Sequence, residues 1–132
     1  MFAVSYFCLL LAFAGQIDAS PSHDPAKQAD IELDRAEAAF DRAHDAYKQG
    51  KINEGDAALD EMNKALEACV ESLEAAHKSR RYKKAELRVA NLQRRMTSLL
   101  DDIDLPQRGW AEQMSRQLEE THDKLLAGAM RK

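Results

Sequence analysis

The apolar residues of this chain fall on alternating steps of three and four, which places them on one side of a helix; a strand would need a step of two. Leu33, Ala36, Phe40, Ala43 and Tyr47 make a first seam. Leu59, Met62, Leu66, Cys69, Leu73 and Ala76 make a second. Tyr82, Ala85, Val89, Leu92, Met96, Leu99 and Ile103 make the most regular one, and Trp110, Met114, Leu118, Thr121 and Leu125 a looser fourth. Boundary signals agree with the seams. Asp24-Pro25 supplies an N-cap acid followed by proline at the first helical position. Gly50 fits a C-terminal glycine stop, Asp104 and Pro106 mark the last start, and Gly128 marks its end. Helices are expected at about 25–49, 53–77, 81–103 and 105–128.

Each helix has one stripe to bury, and short links favour antiparallel neighbours. The expected fold is therefore all-α, an antiparallel four-helix bundle. The weak point is the second junction, because no Gly or Pro lies between Ala76 and Tyr82. Continuing the second seam would place Arg80, Lys83, Leu87, Ala90 and Arg94 inside, a poor core row. The phase jump predicts a turn around Lys78–Arg81. The alternative is three helices with one long, kinked central helix.

The start of the chain bears on compartment. MFAVSYFCLLLAFAGQIDAS holds no charge before Asp18, a compact apolar block at Phe7–Ala14, and a polar patch ending in small Ala19. This pattern predicts a secretory signal peptide over 1–19, cleaved after Ala19 with Ala14 as second option, a polar lead-in at 20–24, and a single domain over 25–132. The expected location is periplasmic or secreted. An uncleaved anchor is the alternative, although the block is shorter than the ~20 residues of a spanning helix, and no integral membrane span is expected once the leader is removed. Loss of Cys8 with the leader leaves Cys69 alone, so no internal disulfide is expected. Cys69 lies on the second seam as a small buried hydrophobe, or else links two chains.

Charge is sorted along the sequence. Residues 24–76 carry a net −8, residues 77–95 a net +7 and residues 96–132 a net −2, within a chain of net −4. The basic island contains Lys78, Arg80, Arg81, Lys83, Lys84, Arg88, Arg94 and Arg95, with Glu86 its one acid. At 100° per residue Lys83 and Arg94 point away from the seam, while Lys84, Arg88 and Arg95 form a neighbouring row. Two uses follow. The cations can lie beside acidic faces of the first two helices and help set helix order, or Lys83, Lys84, Leu87, Arg88, Arg94 and Arg95 can form a partner-binding face. The matching partners are an acidic protein surface or a second copy of the chain. Nucleic acid is not expected of an acidic, exported chain with little aromatic interleaving.

Three helices carry an acid three residues before a histidine: Asp41/His44, Glu74/His77 and Glu119/His122. That is the spacing by which carboxylate-bridged metal bundles supply ligands. Here each acid and each histidine lies one residue past an inner position, so the pairs face outward or sideways. A metal- or haem-binding bundle using these pairs is the alternative function, and no cofactor is expected under the main one. GKINEGDAALDEM is loosely similar to part of the last helix of cytochromes of the b562 type, but the first helix lacks the axial methionine. YKQGKINEGDAALDEMNKALE shares elements with a tetratricopeptide hairpin, yet no second copy exists and such solenoids need about three. No phosphate loop, nucleophile elbow or zinc-protease motif is present, so no catalytic residue and no enzymatic activity are expected.

YKKAELRVANLQRRM, followed by HDKLLAGAM, resembles small exported bacterial proteins of unknown function that share a leader, a central basic helix and a similar ending. The resemblance spans about the last 55 residues. It implies a helical fold and export, and brings no activity.

Overall fold

The computed structural model describes residues 24–131, which form four α-helices and one short 3-10 turn. They are α1 (Pro25–Lys48), α2 (Ile52–Ala76), α3 (Ser79–Asp102) and α4 (Gly109–Met130), with the 3-10 turn at Leu105–Gln107. The expected leader, Cys8 and residues 20–23 of the lead-in lie outside the described residues, while Asp24, the last lead-in residue, caps α1. Among the described residues no helix is long and apolar enough to cross a membrane.

The signals at Asp24-Pro25 and Gly50 work as their chemistry requires, whereas Asp104 and Pro106 open the 3-10 turn and α4 begins only at Gly109. The Asp24 carboxylate accepts a hydrogen bond from the Ala26 N–H at 3.1 Å, with Pro25 in the first turn. At the other end of α1, Gly50 takes φ +77°, the Gly50 N–H donates to the Tyr47 carbonyl and the Lys51 N–H to the Ala46 carbonyl. That pair of bonds is a Schellman stop, and glycine tolerates its left-handed φ without strain. The break between α2 and α3 falls at His77–Lys78, slightly before the predicted turn. His77 adopts φ 53°, ψ 36° and donates its N–H to the Leu73 carbonyl, while Lys78 is extended. Two separate helices thus replace the single kinked alternative. The carbonyl of Ile103, just past the end of α3, is capped by the Arg108 guanidinium at 2.8 and 3.1 Å.

Every residue of the first and third seams is buried, including Leu92 and Met96 at 0% exposure. The fourth seam needs two corrections. Trp110, expected on the inner seam, stays partly exposed; its Nε1–H donates to the Asp56 carbonyl on α2 at 3.0 Å. Ala111 takes the inner place instead. Gly128 is not a stop either. The helix runs through it to Met130, and the glycine is buried because the Tyr82 ring lies against its Cα where no Cβ would fit. Gly55 plays the same part opposite Tyr47, whose ring atoms would lie 2.7 Å from an added Cβ. One buried acid also departs from the expected apolar inner rows: Glu32 accepts hydrogen bonds from Gln28 and Arg35 and so stays paired.

Helix directions follow from the numbering of contacts. Arg42 meets Glu61 and Tyr47 meets Asp56, so α1 and α2 run antiparallel. Tyr82 meets Gly128 and Glu86 meets His122, so α3 and α4 do as well. Across the hairpins Asp30 meets Arg81 and Lys84, Asp34 and Glu37 meet Arg88, and Asp41 meets Arg95. Both partners advance together, so α1 and α3 are parallel neighbours. The main packed pairs are α1–α2, α3–α4, α2–α4 and α1–α3. Two antiparallel hairpins are stacked side by side, which leaves α2 and α3 at opposite corners of the bundle.

Candidate interaction face

The basic island becomes α3, and the helix divides its cations between two directions. One row faces α1. Arg81 Nη1 and Lys84 Nζ lie 3.2 and 3.4 Å from Asp30 Oδ2. Arg88 lies 2.6 Å from Asp34 Oδ1 and also grips both oxygens of Glu37. Arg95 pairs with Asp41 while its guanidinium sits 4.6 Å from the centre of the Phe40 ring, a cation–π contact at the core's edge. This ladder arises because Asp30, Asp34, Glu37 and Asp41 step by four, three and four on one helix while Arg81, Lys84, Arg88 and Arg95 keep the same periodicity on the other. Arg88 is its centre. Its side chain is 24% exposed, and the hydrogen bond it donates to Glu37 raises an already high pKa despite partial burial.

The second row points outward. Lys83, Leu87 and Arg94 are exposed, as is Arg80 one turn earlier. Leu87 is 60% exposed. Among the described residues Arg80 and Lys83 have no acidic partner, and Arg94 bonds only the Asn91 amide oxygen at 3.3 Å. Six residues were expected to share one partner-binding face. The structure separates them: Lys84, Arg88 and Arg95 meet α1, whereas Lys83, Leu87 and Arg94 look to solvent. Around the α2–α3 turn a groove of about 730 Å³ adds His77, Lys78, Ser79, Arg80, Arg81 and Lys84 to the cationic end of this helix.

The acid–histidine pairs do not converge. Asp41 is engaged by Arg95, and His44 lies 3.7 Å from its neighbour Asp45. Glu74 and His77 are both exposed, with His77 forming the left-handed turn. Glu119 is exposed, and His122 instead reaches across to α3, its Nε2 lying 2.6 Å from Glu86 Oε1. Among the described residues no group of three or more His, Cys, Asp or Glu is placed to hold a metal ion.

Sequence periodicity alone missed the Glu86–His122 contact, because it joins flank positions on two helices. Phase could have suggested it: both residues lie on the side of their seams that faces the sister helix of the hairpin. Cys69 is fully buried, and burial pushes its thiol up to about 12, which keeps it protonated and unreactive at neutral pH. Comparison with family models, curated proteins and solved structures finds no match to this chain.

Proposed function

We propose that the protein is an exported, non-catalytic helical interaction module that presents the outer row of α3 to an acidic partner surface. One observation carries this reading. The ladder to α1 occupies Arg81, Lys84, Arg88 and Arg95, yet Arg80, Lys83 and Arg94 have no carboxylate partner among the described residues and flank the exposed Leu87. A helix that needed its cations only for internal pairing would carry them on one side. Export rests on the leader-like start of the sequence, and a periplasmic or secreted location goes with it.

The test compares the wild-type protein with a Lys83→Glu/Arg94→Glu variant by cross-linking in its native cells. Wild type should yield discrete cross-linked species and the variant should lose them, with its helical content and melting temperature unchanged. Identical cross-linking patterns would refute the role of this row.

A further inference from the structure

The distribution of charge over the four corners of the bundle names a partner for the outer row. Helix α2 carries seven acids and one base, whereas α3 carries seven bases and three acids. The two neighbours of α2 are themselves acidic. Helix α1 has six acids to four bases, and α4 has four acids to two bases. Asp60 and Glu61 find Lys64 and Arg42, but Glu67, Glu71 and Glu74 are exposed and have no cation paired with them among the described residues. The helix that could neutralise them stands at the opposite corner of the same molecule. Charges that cannot meet within one copy can meet between two.

Spacing supports this match. On α3 the outward residues Arg80, Lys83, Leu87 and Arg94 step by three, four and seven. On α2 the residues Glu74, Glu71, Glu67 and Asp60, taken in reverse, step by three, four and seven as well. An antiparallel approach of the two helices therefore aligns Arg80 with Glu74, Lys83 with Glu71 and Arg94 with Asp60, whose carboxylate Arg94 then shares with Lys64. Leu87 then lies along the methylenes of Glu67. The α1–α3 ladder already uses this kind of row-on-row pairing inside the molecule.

We infer that the outer row of α3 docks on the acidic row of α2 in a second copy of the chain, giving head-to-tail self-association. This rests on the interaction-module reading and supplies its partner. The donor and acceptor rows lie on opposite corners, so one contact leaves both outer rows free to continue. Such a heterologous contact builds open chains rather than stopping at a twofold dimer. It is made of exposed ion pairs, each of small individual worth, so it is weak and salt-sensitive.

The experiment is sedimentation velocity on the protein as it accumulates in its native cells. At about 20 mM salt, where the screening length is roughly 20 Å, the mean mass should climb steadily with protein concentration; at about 0.5 M salt it should stay monomeric. Lys83→Glu/Arg94→Glu and Asp60→Lys/Glu71→Lys should each abolish the climb, and mixing the two variants should restore it. Restoration requires both variants to be folded. A wild type that stays monomeric at low salt, or a Lys83→Glu/Arg94→Glu variant that still associates, would overturn the inference. So would variants that fail to rescue each other. A monomeric wild type whose cross-linked species are other acidic proteins, lost in Lys83→Glu/Arg94→Glu, would overturn self-docking while leaving the interaction module standing.

Discussion

The contact between Arg88 and Glu37 offers the sharpest measurement of what holds the two hairpins together. Two unit charges about 4 Å apart attract by ~4 kcal/mol at an effective dielectric of about 20. Partial desolvation and the ordering of two long side chains cancel much of that. Exposed pairs therefore contribute only about 0–1 kcal/mol. Here the side chains are 24% and 31% exposed, and Arg88 reaches Asp34 as well. A coupling of about 1–2 kcal/mol is expected, above the range of exposed pairs. It should emerge from a cycle of Arg88→Met, Glu37→Gln and the double variant, methionine being chosen because it keeps an aliphatic stem over the core's edge. Urea unfolding at constant slope gives the four stabilities. In a domain of about a hundred residues, 1 kcal/mol corresponds to about 4 °C in Tm. At about 1 M salt, where the screening length is ~3 Å, the coupling should fall by half or more. A coupling under about 0.3 kcal/mol, or one indifferent to salt, would refute a role for the ladder in docking α3 on α1.

Three further outcomes can be checked on the same material. Gly128→Ala forces a methyl into the Tyr82 ring and should cost about 1–3 kcal/mol, although alanine is the better helix former; a more stable variant would show that the ring moves aside freely. Asp24→Ala removes the only side-chain cap seen at a helix start among the described residues and should lower stability by ~1 kcal/mol in thermal unfolding, whereas Asp24→Asn should change little. Cys69, whose thiol burial pushes from 9.0 to about 12, stays protonated in the folded state. Because the folded pKa is the higher one, stability is retained below about pH 9 and declines as pH rises toward about 12. Cys69→Ala should flatten part of that decline, and native Cys69 should alkylate only as fast as the fold opens.

The helices, the caps at Asp24 and Gly50 and the central seam of the core are fixed by local physics. A three-four step of apolar residues has one low-energy outcome, so the seam residues from Leu33 to Leu125 could be read before any packing was known, while Ala39, Ala46, Ala58, Ala65 and Val70 on their flanks are buried only by the neighbouring helices and Ala76 stays half-buried. Exceptions occur where a neighbouring helix decides. Gly128 carries the chemistry of a helix stop, yet the Tyr82 ring makes it a contact point inside α4. Trp110 keeps the seam's phase, but Ala111 fills the narrow space and the indole turns to the Asp56 carbonyl. The basic island was legible as a charge excess with two directions. Which direction meets an acid depends on α1 and α3 lying side by side and parallel, a choice of hairpin stacking that no single helix encodes. Periodicity assigns each residue an angle about its own axis; only the packing of four axes decides what stands at that angle.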